Sequence, residues 1–339
     1  MILANRYLRL RTAIRSLILV GISLTMTGCY YMQAARGQLD MLRKREDIAD
    51  VITDDATSAE LAARLQLVLD ARAFSVEVLG LPDNDSYTTY ADLERDFAVY
   101  SIIAVPEFSV EPRTWCYPIV GCVGYRGYFS EDKARKEAER MRAAGFDVAF
   151  GGVAAYSTLG KFDDPVLNTM MHWDDVQLVS VMFHELAHQQ LYIKNDTTFN
   201  ESFATAVEEV GVERWLAARN KAGAYEDWRR RRDVTNAFAA LVIDARENLE
   251  VVYSNGGDDT AMRATKEAIF QQLAASSTAL FEDAGLRAPQ WLAEGPNNAR
   301  IASISLYNQR VPEFRDMFEK CGQDFVCFYE RAAALGGDD

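Results

Sequence analysis

The chain has 339 residues, of which 49% are hydrophobic and 25% are charged, and its formal net charge at pH 7 is −14. This composition excludes a disordered chain and is sufficient for a substantial core, in one large domain or two smaller ones. The negative charge argues against nucleic acid as a partner, because binding to nucleic acid depends on Lys and Arg side chains that neutralise phosphates.

The N-terminal segment has the parts of a bacterial export signal. Residues 1–15 contain four arginines and no acidic residue, and the apolar run over residues 16–26 is too short to cross a bilayer comfortably. Residues 26–29 (MTGC) resemble the lipobox of bacterial lipoproteins, although Met stands where Leu is usual. Tyr30, rather than Asp, follows the cysteine. In this respect the chain resembles lipoproteins that are sorted to the outer membrane. We therefore predict a signal peptide over residues 1–28 and a lipid anchor on Cys29 at the periplasmic face of the outer membrane. The alternative is an uncleaved anchor.

Helical and strand patterns alternate through the next part of the chain. Ser58 lies at a predicted helix start, and Ser130 and Gly145 are typical of the two ends of a helix. The segment 97–110 is rich in β-branched and aromatic residues, as strands are. In chain order the sequence predicts helices over 32–52 and 58–80, a turn over 81–87, a strand over 97–110, a hairpin or loop leading to a short strand over 114–129, a helix over 130–145 and a strand over 146–160.

Four cysteines besides Cys29 form two closely spaced pairs. Cys116 and Cys122 enclose five residues, and so do Cys321 and Cys327. Four cysteines allow three connectivities, but two local disulfides are the natural pairing in an exported chain. The alternative is a zinc cluster held by all four thiolates, which the absence of CxxC spacing disfavours.

From residue 174 to the C-terminus the pattern is almost entirely helical, with breaks at residues 254–259 (SNGGDD) and 294–299 (EGPNNA). Because a small sheet precedes these helices, the predicted fold class is α+β, predominantly helical. We predict an N-terminal α+β part over residues 29–173 and a helical part over residues 174–339.

The sequence HELAH over residues 184–188 contains two of the three histidines of the chain. On an α-helix His184 and His188 lie on one face, a single turn apart, where two imidazoles can bind one tetrahedral zinc ion. Glu185 projects beside them, where it can take a proton from a zinc-bound water. The pattern predicts one Zn²⁺ per chain, with Glu185 as the general base. The alternative is a helix whose histidines simply pack or face solvent.

Glu201, thirteen residues after His188, is the candidate for the third zinc ligand. A straight helix would place it far along the axis, so the helix has to break, and the segment 194–198 contains turn formers. The competing role for Glu201 is structural, because Thr198 and Glu201 fit a capping box. Glu208 is the second candidate for the third ligand.

The HExxH motif followed by NExxA resembles the gluzincin metallopeptidases, in which the second glutamate is the third zinc ligand. More closely, the chain is similar to a bacterial lipoprotein family whose members are named putative aminopeptidases. The interval between His188 and Glu201 is shorter than in well-studied gluzincins. The segments that carry the family likeness are the lipobox, WCYPIVGCVGYRGYF, AAYSTLGKFDDPVLNTM, HELAHQQLYIKNDTTFNESFA and NNARIASISLYNQRVPEFRDMF, and they span nearly the whole mature chain.

This resemblance implies a zincin-like fold with zinc held by His184, His188 and Glu201. It also implies that Asn200 orients a ligand and that Tyr307, on a later helix, donates a hydrogen bond to the developing oxyanion. Tyr156 and His172 are the rivals of Tyr307 for that role, and each of the three residues has a structural alternative.

The resemblance further implies an edge strand just before the zinc helix, along which the substrate backbone pairs. Residues 151–160 are the candidate, with Gly152, Ala154 and Tyr156 as substrate-binding positions and glycines that permit close backbone approach. The alternative is a purely structural strand. Three residues near the last helices, Asn297, Asn298 and Arg300, either bind polar groups of the substrate or cap helices.

The implied function is a zinc-dependent peptidase of the cell envelope, specifically an aminopeptidase, whose partner is a peptide or protein substrate. An aminopeptidase needs acids that hold the free α-amine, and Glu107 or Asp163 is the candidate, since the usual glycine-rich motif is missing from residues 151–160. The alternatives are an endopeptidase, an esterase or amidase acting on cell-wall material, and a non-catalytic lipoprotein scaffold. The intact Glu185 disfavours the scaffold.

Overall fold

The computed structural model describes residues 30–117 and 121–336. The predicted signal peptide and Cys29 lie outside the described residues. Helices form most of the described chain, and its strands precede the helix that contains His184. The prediction of an α+β fold that is predominantly helical, with a small sheet before the histidine helix, is confirmed.

Short strands form three small sheets in the described part of the chain. They are β1 (Arg45–Asp47), β2 (Thr89–Ala91), β3 (Val99–Pro106), β4 (Trp115–Tyr117), β5 (Gly121–Val123), β6 (Arg126–Tyr128), β7 (Phe146–Val153) and β8 (Val166–Leu167). The strand orders are β1-β2-β8, β6-β3-β7 and β4-β5. The central strand β3 pairs antiparallel with both β6 and β7, so β7 is an edge strand of its sheet.

The helices are concentrated after the sheets. They are α1 (residues 30–43), α2 (Ile48–Thr53), α3 (Ala59–Glu77), α4 (Glu131–Ala143), α5 (Asp175–Gln190), α6 (Thr197–Ala218), α7 (Ala222–Asn255), α8 (Asp259–Asp283), α9 (Trp291–Glu294), α10 (Asn298–Asn308), α11 (Val311–Lys320) and α12 (Phe325–Gly336). Ser58 and Ser130 accept hydrogen bonds from backbone N–H groups in the first turns of α3 and α4, so both predicted helix starts are confirmed.

Two predicted elements have different bounds in the structure. The helix predicted over residues 32–52 is interrupted by β1, whose residues pair with β2. The strand predicted over residues 146–160 ends with β7, because the carbonyl of Ala154 accepts a hydrogen bond from Thr169 Oγ1 at 2.6 Å rather than from a strand. Both differences come from partners that are distant in sequence, which local residue patterns do not encode.

The helices α5 and α6 approach each other closely at a glycine. A Cβ atom on Gly211 of α6 would lie 2.8 Å from Cδ2 of Phe183 on α5 and 2.9 Å from Cδ1 of Leu79. Real Cβ atoms do not approach other atoms so closely, so this position has to be glycine for the two helices to pack at this distance. This packing brings α6 directly against α5 at Phe183, the residue that precedes His184.

The apolar core is built from both halves of the chain. The largest cluster of buried apolar side chains runs from Met41 on α1 to Ala332 on α12 and includes Phe183, Phe199 and Phe203. It therefore contains residues of both predicted parts, and their division at residue 174 stays a prediction. A second cluster joins α7, α8 and α10.

Two disulfides close short loops. Cys116 and Cys122 join β4 to β5, and Cys321 and Cys327 join the end of α11 to α12. The predicted pairing is confirmed, and the alternative of a zinc cluster held by four thiolates is wrong. Within residues 30–117 and 121–336, every helix is too short or too polar to cross a membrane.

Candidate metal centre

The helix α5 presents two buried imidazoles on one face. Asp174 caps its start by accepting a hydrogen bond from Gln177 N at 2.8 Å. His184 and His188 follow one turn apart, and their ring centroids are 4.9 Å apart with the rings nearly perpendicular. Both side chains are buried.

A tight turn between α5 and α6 brings Glu201 back to the histidines. Asn195 takes a positive φ of 67° in this turn. Asn200 closes the turn, since its Oδ1 accepts from Ile193 N and its Nδ2 donates to Ile193 O, each at 2.7 Å. The cap of α6 is Asp196, which accepts from Phe199 N, so the capping box of Thr198 with Glu201 is not formed.

The side chain of Glu201 lies between the two imidazoles. Its Oε2 is 3.3 Å from Nε2 of His184 and 3.5 Å from Nε2 of His188. Two ligands that bind one zinc ion tetrahedrally at their usual bond lengths stand about 3.3 Å apart. Among the described residues these three form a buried group able to hold a metal ion, with ligand atoms all within 4.8 Å of one another.

Glu208 lies on the opposite side of the His184 ring. Its Oε2 is 3.1 Å from Nδ1 of His184, whereas Glu201 contacts Nε2. The Oε1 atom of Glu208 accepts hydrogen bonds from Ser180 and from Arg232 of α7. This carboxylate therefore fixes the orientation of the imidazole, as the outer partners of ligating histidines do. The geometry favours Glu201 over Glu208 as the third ligand.

Opposite charges dominate the electrostatics of this centre. Burial alone would lower the pKa of His184, but hydrogen bonds with Glu201 and Glu208 raise it to about 10. Burial would raise the pKa of Glu201, but the charge of His188 and hydrogen bonds with both histidines lower it to about 2. Burial would also raise the pKa of Glu208, but the charge of Arg232 and the contact with His184 lower it to about 2. The centre thus favours ionised carboxylates beside a positive charge.

Glu185 lies next to the metal-binding group without belonging to it. Its side chain is half-buried on α5, between the two histidines in sequence. Burial is the main cause of its raised pKa, the charges of His188 and His184 oppose the rise, and Glu201 adds to it. A carboxylate with a raised pKa at this place is suited to taking and returning a proton near neutral pH.

Tyr307 of α10 reaches the same centre from the far end of the chain. Its ring stacks on that of His184, with centroids 6.0 Å apart and an interplanar angle of 29°. Two contacts fix this end of α10 beside Glu201: Ser202 Oγ donates to Leu306 O at 3.5 Å and accepts from Arg310 N at 3.2 Å. Tyr307 as a residue is 39% exposed, so part of it is accessible from solvent.

The segment 151–160, which the sequence predicts as the substrate strand, is a strand only as far as Val153. Gly152 lies in the edge strand β7, but a Cβ there would be 2.3 Å from Cγ of Phe97, so the glycine makes room for a ring of the protein itself. Ala154 and Tyr156 follow the strand. The ring of Tyr156 contacts Phe129, with centroids 5.4 Å apart, in the main apolar cluster.

Other candidate residues make contacts away from His184. His172 is exposed, with its ring centroid 5.5 Å from that of Trp173. Glu107 forms an ion pair with Arg263 of α8, and Asp163 is an exposed residue.

The polar residues at the start of α10 have structural roles. Asn297 caps the helix by accepting from Arg300 N at 2.9 Å. Asn298 donates from Nδ2 to the carbonyls of Pro106 and Glu107 at the end of β3. Asn297 therefore caps α10, and the bonds of Asn298 tie the helix to the sheet.

Sequence analysis missed Tyr125, which lies between β5 and β6. Burial raises the pKa of its hydroxyl well above the ordinary value, and the next largest cause is the charge of Glu201, followed by Tyr307, Tyr192 and Glu185. Tyr125 is therefore an electrostatic neighbour of the metal-binding group. Its occurrence inside the segment WCYPIVGCVGYRGYF was the available signal.

The fold and this centre define a mainly helical α+β protein with a buried His-His-Glu group that can hold a metal ion beside a half-buried glutamate. One family model, described as "Putative aminopeptidase", matches residues 29–339, and the chain belongs to that family. Membership supports a peptide-hydrolysing enzyme. Neither a curated protein nor a solved structure matches the chain.

Proposed function

We propose that this chain is a zinc-dependent peptidase with a zincin-like fold, and that it acts as an aminopeptidase in the cell envelope. The observation that carries the proposal is the placement of Glu201 Oε2 at 3.3 Å and 3.5 Å from the two histidine Nε2 atoms, with Glu185 on the same helix. A scaffold needs neither this ligand spacing nor a half-buried carboxylate beside it.

One Zn²⁺ would be held by Nε2 of His184, Nε2 of His188 and a carboxylate oxygen of Glu201. Two nitrogen ligands and one oxygen ligand, with a fourth position left open, are typical of catalytic zinc. The three carboxylates of Glu185, Glu201 and Glu208 also give the centre a negative charge that a divalent cation compensates. When bound, zinc supplies Lewis-acid chemistry, which activates water and polarises the peptide carbonyl.

The protein side chains would transfer the proton, stabilise the developing negative charge and orient a zinc ligand. Glu185 takes the proton of the attacking water and returns it to the leaving amine, which its raised pKa favours. The hydroxyl of Tyr307 donates a hydrogen bond to the oxygen on which negative charge develops. Glu208 keeps the His184 ring oriented through Nδ1, so that Nε2 points at the metal position.

The proposed location is the periplasmic face of the outer membrane, with the protein anchored through lipid on Cys29. Support comes from the arginine-rich start, the short apolar run and the MTGC sequence. The match to the family begins at residue 29, which is this cysteine. The two disulfides agree with an oxidising compartment.

The proposal is tested with a soluble form that comprises residues 30–339. Hydrolysis of aminoacyl p-nitroanilides and of short peptides is measured with free and with acetylated N-termini, which separates an aminopeptidase from an endopeptidase. We expect a chelator to abolish hydrolysis and Zn²⁺ to restore it. Glu185→Gln should lower kcat by about 10²–10⁴-fold while zinc stays bound.

The matched control is Glu213→Gln, which changes a glutamate on α6 that pairs with Arg315. It should leave hydrolysis unchanged. An unaltered kcat in Glu185→Gln, or hydrolysis that resists the chelator, would contradict the proposed mechanism. Zinc binding without hydrolysis of any peptide would favour the scaffold instead.

A further inference from the structure

The disulfide hairpin β4–β5 docks on the turn that brings Glu201 to the histidines. Cys122 N donates to Asn195 Oδ1 at 2.8 Å. Gly124 N donates to Thr197 Oγ1 at 3.4 Å, at the first residue of α6. A Cβ on Gly121 would lie 2.4 Å from Asn195 Oδ1, so the hairpin backbone touches the turn directly. The hairpin therefore contacts the same turn between α5 and α6 that returns Glu201 to the histidines.

The residue that follows this docked backbone is Tyr125. Its neighbour Gly124 is also close to α10, because a Cβ there would lie 3.6 Å from Cδ1 of Leu306. The ring of Tyr125 packs against the small apolar cluster that contains Leu306 and Ala302 of α10. Tyr125 thus lies between the start of α6, which supplies Glu201, and the end of α10, which supplies Tyr307.

The charged and polar groups that act most strongly on the hydroxyl of Tyr125 belong largely to the candidate centre. Its largest electrostatic neighbours are Glu201 and Tyr307, with Glu185 also nearby. Within the described residues no hydrogen bond to this hydroxyl is formed, whereas the hydroxyl of Tyr117 in the same hairpin donates to that of Tyr30 at 3.2 Å. A tyrosine hydroxyl is a strong donor, and one placed among site groups without a partner is available to a ligand.

We infer that Tyr125 is a second oxyanion donor, which acts together with Tyr307 on the carbonyl oxygen of the peptide under attack. The inference rests on the proposed peptidase function. Two donors that approach one oxygen from different elements stabilise the charge that develops there more than a single donor does. In this arrangement the Cys116–Cys122 disulfide positions Tyr125, because it closes the hairpin whose backbone is bonded to Asn195 and Thr197.

The test compares Tyr125→Phe with Tyr128→Phe in the soluble form. Tyr128 is the matched control, since its ring lies in the separate apolar cluster that contains Met141. Tyr125→Phe should lower kcat by about 10–10³-fold with little change in KM, while the zinc content per chain stays that of the wild type. Tyr128→Phe should keep the wild-type kcat. A phosphinic dipeptide, which imitates the tetrahedral species, should lose affinity for Tyr125→Phe by a similar factor.

Removal of the Cys116–Cys122 disulfide is a second, independent test of the role of Tyr125. Cys116→Ser with Cys122→Ser should lower kcat by about tenfold or more through misplacement of Tyr125. Cys321→Ser with Cys327→Ser, which opens the other disulfide, should affect kcat less. Combining Tyr125→Phe with the first cysteine pair should add little to either change.

The outcomes separate the two proposals. Wild-type protein that neither binds zinc nor hydrolyses peptides overturns both the peptidase and the role of Tyr125. An active wild type with an unchanged kcat in Tyr125→Phe overturns the role of Tyr125 alone. Loss of zinc from Tyr125→Phe would also overturn it, because the side chain would then be structural.

Discussion

Glu208 and His184 form a contact that the sequence did not assign: Oε2 of Glu208 lies 3.1 Å from Nδ1 of His184. Because Glu201 occupies the Nε2 side of the same ring, the imidazole is held between two carboxylates that are about two turns apart on α6. Arg232 of α7 in turn holds Glu208. The orientation of one candidate zinc ligand therefore depends on α7, which supplies none of the three candidate ligands.

The first prediction concerns this outer carboxylate. Glu208→Gln keeps the shape of the side chain but weakens its hydrogen bond to the imidazole, so the affinity for zinc should fall by about 10–100-fold. Competition with a chromophoric chelator measures that affinity. Glu213→Gln, on the same helix, should bind zinc as the wild type does, and an equal loss in both variants would contradict a specific role for Glu208.

The second prediction concerns the charge of His184 in metal-free protein. Burial opposes the charge, but hydrogen bonds with Glu201 and Glu208 raise the pKa of His184 to about 10. A raised pKa in the folded state means that the pair stabilises the metal-free fold fully below the ordinary pKa of about 6.5 and loses this contribution as pH rises towards 10. Zinc binding at pH 8 must then displace this proton.

NMR of isotope-labelled histidine rings can measure this charge, since the chain has only 3 histidines. One ring should remain an imidazolium at pH 8 in the metal-free protein and lose its proton when Zn²⁺ is added. His184→Ala identifies the resonance. If all three rings are neutral at pH 8 before zinc is added, the carboxylates do not hold the charge that the structure assigns to His184.

The third prediction concerns Tyr307, whose ring stacks on that of His184. Tyr307→Phe keeps the ring and removes only the hydroxyl donor, so kcat should fall by about 10²–10³-fold with zinc still bound. Steady-state kinetics with a p-nitroanilide substrate measures the change. Tyr253→Phe is the control, because that hydroxyl bonds to Asn298 at the other end of α10. A full wild-type kcat in Tyr307→Phe would remove this residue from the mechanism.

Much of the centre could be predicted because its parts are local in sequence. The HELAH spacing fixes one face of a helix, and the turn formers after it indicate the reversal that returns Glu201 to that face. The capping alternative for Glu201 was wrong because Asp196, two residues before Thr198, takes the cap. Spacing alone could not separate these roles, since both place a glutamate in the first turns of α6.

The remaining features depend on contacts across long distances in the chain. The role of Glu208 depends on the direction of His184 Nδ1, which points at a carboxylate about two turns beyond Glu201 on α6, and no local pattern states this. The sequence predicts Gly152 as a position for close approach of a substrate backbone, and the structure adds that a Cβ there would meet the ring of Phe97. Tyr125 reaches the centre only because the hairpin docks on Asn195. Such docking is a property of tertiary packing rather than of residue periodicity.

The fourth prediction tests the close packing of α5 on α6. Gly211→Ala would place a methyl group 2.8 Å from Phe183, so the free energy of unfolding should fall by about 1–3 kcal/mol. Because Phe183 precedes His184, zinc affinity should fall as well. Denaturant unfolding of the metal-free protein measures the first effect.

The control for this variant is Gly223→Ala on α7. A Cβ at that position would have no atom within 4 Å, so the free energy of unfolding should stay unchanged or rise by about 0.5–1 kcal/mol. Equal stability of Gly211→Ala and wild type would mean that the two helices separate without cost, and that the glycine is not required there.

The measurement that tests the central claim most directly is the metal content of the soluble form by elemental mass spectrometry, for wild type, His188→Ala and Glu201→Gln. The account predicts about one zinc per wild-type chain and loss of zinc in both variants, because each removes one of three protein ligands. Zinc retained by Glu201→Gln would contradict the assignment of the third ligand. Wild-type protein that holds no zinc after reconstitution would contradict the metal centre itself.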